Sequence, residues 1–345
     1  MSRTTITALA ALAASAVLAA PAAADPPPGP PPVNSAITRS GLLRIEPRGP
    51  QWDRLYVESA SMRRAIPVDV LHGTGSGPRP VLYLLDGVDG EPTSDWLAKG
   101  RAAEFFADKP VDVVLTGGGV GSMYSDWDHY DHTLGLNRWE TFLIKELPPI
   151  VEGYLNSDGR RAIAGVSMGA QGAMMLAQRH PGFFHAVAGI SGCYSTAGDV
   201  GEAVTRITVA SRGGDPENLW GPPGSPEWVA HDSFLGAATL RGTALYLSAA
   251  TGVPSVPDLD AVADAPDVSA ALRAVGGGAA LEAGALECTE RFAQRLVQLH
   301  IPATVNLEPA GTHSWPDFAA ELPAAWNAIA QAFHGKAIRL DYGPR

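Results

Sequence analysis

The sequence predicts an α/β domain: a mostly parallel sheet with helices on both faces and an antiparallel N-terminal edge. Three features point to it. Short continuous apolar runs recur from Val81 onward, the pattern of strands buried on both faces. Stretches of helical periodicity alternate with them, as they do when a parallel sheet is covered by crossover helices. Between Leu42 and Leu71 the runs instead resemble half-buried antiparallel strands.

In chain order, the expected edge strands are Leu42–Ile45, Arg54–Glu58 and Ala65–Val70. The buried strands follow at Val81–Leu85, Val111–Leu115, Ala162–Ala164, Ala186–Ile190, Ala244–Leu247 and Ala303–Leu307. Helices are expected over Trp139–Tyr154, Gly169–Arg179, Leu281–Leu299 and Phe318–Phe333. Two segments, Ser195–Ser233 and Thr251–Gly278, are rich in Gly, Pro and Asp, lack periodicity and read as long loops. There is no internal repeat.

The first residues carry a targeting signal. Arg3 precedes an apolar, mostly alanine run to Ala20, and Pro21 and Ala22 to Ala24 form a small-residue end, so residues 1–24 read as a signal peptide cleaved after Ala24. The run is short for a membrane span. Residues 25–36 are a proline-rich spacer, and residues 37–340 are expected to form one catalytic domain outside the membrane, in a secreted or cell-envelope protein.

The chain has 36 Asp and Glu against 25 Lys and Arg, a net charge of -11, with no basic cluster. Such a surface repels a phosphate backbone, which argues against nucleic acid as a partner. No cofactor is expected. Asp126, Asp128, His129, Asp131 and His132 crowd one segment, but their spacing matches no metal-ligand pattern, and a solvated loop is the expectation there. Cys193 and Cys288 are the only cysteines. In an oxidising compartment one disulfide is the economical reading, with two buried free thiols as the alternative.

The chemistry centres on Ser167. Gly165-Val166-Ser167-Met168-Gly169 follows a strand and opens a helix, the setting of a nucleophile elbow, where a sharp turn tolerates only small residues two places before and after the serine. A serine hydroxyl needs a base. Of the nine histidines, His313 alone comes directly after the last strand, where that base belongs. The acid should fall between them. Glu282 is the first choice and Asp258 or Asp260 the runner-up, and spacing leaves the choice open. For the oxyanion, Met168 supplies one backbone N–H and Val88, after the strand Val81–Leu85, is the candidate for the second. Asp86 at the same rim reads equally as an acceptor for a hydroxylated substrate or as a turn residue before Gly87.

Tyr83-Leu84-Leu85-Asp86-Gly87, Tyr124-Ser125-Asp126-Trp127, Trp139-Glu140-Thr141-Phe142-Leu143, Gly165-Val166-Ser167-Met168, Leu219-Trp220-Gly221-Pro222 and Gly311-Thr312-His313-Ser314-Trp315 occur in that order. In them the chain resembles the antigen 85 and corynebacterial mycolyltransferases, secreted enzymes of the α/β-hydrolase fold. The resemblance implies transfer of a mycolyl group, a long-chain 2-alkyl-3-hydroxy acyl chain, between trehalose esters or onto cell-wall polysaccharide, with peripheral contact to envelope lipid. It implies Ser167 as acyl carrier, His313 as proton shuttle and Glu282 as the acid, Val88 and Met168 as oxyanion amides, and Asp86 and Trp315 as sugar contacts. Asp89 stands where the antigen 85 branch has a sugar-binding arginine, an exchange of sign. The pairing of Cys193 with Cys288 resembles the corynebacterial pattern. A secreted carboxylesterase acting on lipid or sugar esters is the alternative activity. A non-catalytic, fibronectin-type surface binding protein is the alternative outside enzymology.

Overall fold

The structure is a computed structural model that describes residues 29–335. The expected signal peptide, residues 25–28 of the spacer and the end of the expected domain lie outside the described residues. The rest of the spacer touches the domain, where Asn34 N–H donates to the Arg63 carbonyl at 2.7 Å.

Nine strands form one sheet: β1 Gly41–Gly49, β2 Trp52–Ser59, β3 Arg64–Leu71, β4 Val81–Leu85, β5 Asp112–Thr116, β6 Arg161–Val166, β7 Ala186–Ile190, β8 Ala244–Ala250 and β9 Thr304–Glu308. Their order is β1-β2-β3-β5-β4-β6-β7-β8-β9. β1, β2, β3 and β5 pair antiparallel, and every pair from β5 through β4 to β9 is parallel. This is the predicted sheet, with strand ends moved by a residue or a few.

Alternate residues of β4 enter different cores. Val81, Tyr83 and Leu85 join one apolar cluster, whereas Leu82 and Leu84 join the other, as the two-residue strand period requires. Helix Met168–Arg179 covers the first face with Ala170, Ala173 and Met174, and helix Trp315–Phe333 covers the second with Phe318, Leu322 and Ile329.

The two expected loops are largely helical. Ser195–Ser233 contains helices Gly198–Ala210, Pro216–Trp220 and Pro226–Ala230. Thr251–Gly278 contains helix Val256–Ala263 and the first eleven residues of a 31-residue helix, Val268–Gln298. Composition hid them, because Pro216, Pro226 and Pro257 sit in first turns, where proline is tolerated. Gly276 and Gly277 lie inside the long helix where a Cβ would meet nothing within 4 Å, so glycine there relieves no clash and lowered the apparent helical signal. Asp267 caps this helix by accepting Ala270 N–H at 2.9 Å.

Candidate active site

Chain reversals place one polar residue after another at the carboxyl edge of the parallel strands, where open α/β sheets bind ligands. Asp86 follows β4, Ser167 follows β6, Ser191 follows β7, and the loop after β9 carries His313.

Ser167 has φ 55° and ψ -120°, an elbow held by its surroundings. A Cβ on Gly165 would overlap the Gly169 carbonyl, and one on Gly169 would overlap the backbone of Leu85 and Asp86. The turn therefore closes only with glycine at both places. Ser167 N–H donates to the Ile190 carbonyl at 2.9 Å, tying the elbow to β7. Val166 and Met168 are buried while Ser167 itself is partly exposed.

His313 comes from the other end of the chain to meet it. Ser167 Oγ lies 2.8 Å from His313 Nε2, and His313 Nδ1 lies 2.8 Å from Glu282 Oε2. Glu282 is buried on the long helix, and its second oxygen accepts the Ser191 hydroxyl at 2.7 Å and the Ala250 N–H at 2.7 Å. Asp258 and Asp260 do not join this chain. Asp258 is buried and bonds to the residues on either side of His313, through Thr312 Oγ1 at 2.8 Å and Ser314 Oγ at 2.9 Å. Asp260 is exposed.

Gly87 lies against Ser167, a Cβ there falling 3.7 Å from the serine Cβ, which brings the start of the Val88 loop beside the hydroxyl. Among the described residues, neither the Val88 nor the Met168 N–H donates to a protein acceptor. Asp86 sits beneath that rim. Its Oδ1 accepts from Ser94 Oγ at 2.8 Å and Trp96 N–H at 3.3 Å, while Oδ2 is buried without a partner. Burial pushes this carboxyl up to about 7 despite those two donors. Trp315 is half-buried and meets Trp96 edge-on at 5.4 Å. Asp89 is paired with Arg212, whose Nη2 and Nε reach one carboxylate oxygen at 2.6 and 2.9 Å, so a cation from a distant segment stands beside the reversed charge.

Cys193 and Cys288 form a disulfide, joining the loop after β7 to the long helix. In the crowded acidic segment Asp128, His129 and His132 are exposed, as expected of a solvated loop, whereas Asp126 and Asp131 turn inward. Asp131 is buried and accepts the N–H groups of Thr133, Leu134 and Asp215, and Asp126 accepts both the N–H and the hydroxyl of Thr141. Among the described residues, no three His, Cys, Asp or Glu side chains converge as metal ligands.

Sequence reasoning missed Ser191 and the carboxylate grip on the histidine loop. The first had a signal: Ser191, like Asp86 and Ser167, is the first polar residue after a buried run.

A family model described as a putative esterase matches residues 59–329. The chain belongs to that esterase family. Within it the affinity is to the antigen 85 group: the diacylglycerol acyltransferase/mycolyltransferase Ag85B of Mycobacterium intracellulare is 30% identical over 287 residues, covering 78% of this chain and 80% of that protein. The MPT51/MPB51 antigen of Mycobacterium tuberculosis is 34% identical over 192 residues, a match spanning 55% of this chain and 62% of the antigen's length. The crystal structure of Mycobacterium tuberculosis MPT51 superimposes with a TM-score of 0.68 at 27% identity, covering 82% of this chain and 99% of that one. An S-formylglutathione hydrolase from Agrobacterium tumefaciens, at 15% identity and a TM-score of 0.59, shares the fold. Among the described residues no helix is long and apolar enough to cross a membrane.

Proposed function

We propose that the chain is a secreted acyltransferase that moves a mycolyl group between trehalose esters, or onto cell-wall sugar, through an acyl-enzyme on Ser167. The observation that carries the proposal is the unbroken chain Ser167 Oγ to His313 Nε2 to Glu282, each link 2.8 Å. An ionised carboxylate only accepts hydrogen bonds, so Glu282 keeps the imidazole proton on Nδ1 and leaves Nε2 free to accept the serine proton.

In the first step Ser167 Oγ attacks the donor ester carbonyl and His313 Nε2 takes its proton. The Val88 and Met168 N–H groups stabilise the oxyanion, and Glu282 offsets the imidazolium charge. The tetrahedral intermediate collapses as His313 returns the proton to the departing sugar oxygen. A hydroxyl of the acceptor sugar then gives its proton to His313 and attacks the acyl-serine, and this second intermediate collapses by breaking the bond to Ser167 Oγ, to which His313 returns the proton. Asp86 Oδ2 and Trp315 serve as sugar contacts, the one an unfilled acceptor and the other an aromatic face at the rim.

A secreted carboxylesterase is the second reading, favoured by Asp89 in place of a cationic sugar contact. Incubating the purified protein with an acyl-trehalose and labelled free trehalose separates the two. Labelled trehalose becoming acylated faster than free acid is released supports transfer; free acid alone leaves the esterase.

A further inference from the structure

His313 is gripped from behind by a pair of carboxylates that the reaction steps do not use. The loop Gly311 to Ser314 is sewn to the segment after β8 by its backbone: Gly252 N–H donates to the Gly311 carbonyl at 3.0 Å, Gly311 N–H to the Val253 carbonyl at 2.7 Å, and His313 N–H to the Gly278 carbonyl at 3.2 Å. Gly311, at φ 145°, leaves no room for a side chain, since a Cβ would stand 2.8 Å from Ala250 Cβ.

Onto this seam two acids close. Asp258 Oδ1 accepts the Thr312 hydroxyl at 2.8 Å and contacts Ser314 Oγ at 2.9 Å, and its Oδ2 accepts the Ser255 N–H and hydroxyl at 2.9 and 3.0 Å, in a capping box that fixes helix Val256–Ala263. Asp317 Oδ2 accepts the Thr312 N–H at 2.7 Å and also contacts Ser314 Oγ, at 3.0 Å. Thr312 and Ser314 are the two neighbours of His313, so both are held by carboxylates from different helices.

A proton count sharpens the picture. Ser314 has one hydroxyl hydrogen but two carboxyl oxygens within 3.0 Å. That hydrogen is shared between the two acids, with Asp258 Oδ1 at the shorter distance. The electrostatics run the same way. Burial raises Asp258, but bonds from Ser255, Thr312 and Ser314 outweigh it and hold that carboxyl low, whereas burial and the Asp258 charge hold Asp317 high. Among the described residues neither acid has a cationic partner, and the one imidazole in the loop turns to Ser167 and Glu282.

We propose that Asp258 is a positioning residue for His313, its carboxylate clamping the hydroxyls on either side of the histidine so that the ring stays in line between Ser167 and Glu282. The sequence placed Asp258 among candidate acids; its role is to hold the loop rather than to touch the ring.

The inference rests on the Ser167 reading, and the test keeps the two apart. A p-nitrophenyl alkylphosphonate transfers its phosphonyl group to Ser167 Oγ, releasing p-nitrophenolate while His313 takes the serine proton. The labelling rate and the kcat and KM for a p-nitrophenyl ester are measured on the intact protein and three variants. Asp258→Ala is expected to slow labelling and kcat by about 10- to 100-fold with KM nearly unchanged. Asp258→Asn, whose amide oxygen can still accept both loop hydroxyls while its NH2 replaces the oxygen that capped Ser255, should restore the rates to within about threefold and lower Tm. Asp267→Ala uncaps the neighbouring helix without touching the clamp, and should leave the rates at native values while lowering Tm. If Asp258→Ala does not fold, the Thr312→Val/Ser314→Ala double variant removes the clamp from the loop side and should show the same slowing. Native rates in a folded Asp258→Ala or in the double variant overturn the clamp, as does an Asp258→Asn protein as slow as the alanine variant. A native protein that does not label overturns the Ser167 reading, and the inference with it.

Discussion

Glu282 divides its carboxylate between two tasks: one oxygen faces His313 Nδ1 at 2.8 Å, the other accepts the Ser191 hydroxyl at 2.7 Å. The second contact decides what a conservative change would do. In Glu282→Gln the amide oxygen stays with Ser191 and the Ala250 N–H, which turns the amide NH2 toward His313. Nδ1 must then accept, the proton moves to Nε2, and the serine loses its base. The expected fall in kcat is about 10³- to 10⁴-fold with Tm little changed. Steady-state kinetics and a thermal melt check it; near-native turnover would take the acid role from Glu282.

Ser191 has φ 54°, an uncommon conformation for a residue with a side chain. Ser191→Ala keeps the backbone demand and removes the hydroxyl, and a fall in kcat of about tenfold is expected. Ser191→Gly removes the same hydroxyl but suits the backbone, so it should lose as much activity while melting higher than the alanine variant. Equal melts would show that the position carries no strain.

Much of this was legible in the sequence for physical reasons. Strands buried on both faces leave continuous apolar runs, so β4 and β7 could be read to the residue. The elbow could be read because no side chain fits at Gly165 or Gly169. The insertion after β8 could not, since Gly276, Gly277 and Pro257 argue against helix locally while tertiary position and the Asp267 cap decide otherwise. Choosing among Glu282, Asp258 and Asp260 was beyond spacing alone: Asp258 lies only two residues from Asp260, yet the former is buried against the histidine loop and the latter is exposed. Ser191 was passed over although it follows its strand as Ser167 does.

Asp86 predicts a pH dependence. Its folded pKa is raised to about 7 by burial, so its contribution to stability is fully present below the ordinary carboxylate range and is lost as the pH rises through about 7. Asp86→Asn keeps an acceptor for Ser94 and Trp96 and carries no charge. Melts of the two proteins should agree near pH 3, and at pH 8 the asparagine variant should be more stable by roughly 4 kcal/mol. Parallel melting curves at both pH values would place the Asp86 titration in the ordinary range.

The Cys193–Cys288 disulfide closes a separation of 95 residues. Replacing both cysteines by alanine should cost about 2–4 kcal/mol of stability, read as a lower urea midpoint. An unchanged midpoint would mean that packing around Phe292 and Tyr194 already fixes the long helix.

The most direct test of the account is the mass of the trapped intermediate. After rapid acid quench of the protein turning over an acyl-trehalose, the peptide containing Ser167 should be heavier by the mass of the fatty acid less one water, and Ser167→Ala should show neither the adduct nor turnover. Turnover with the acyl group on another residue, or sustained turnover by the alanine variant, would contradict it.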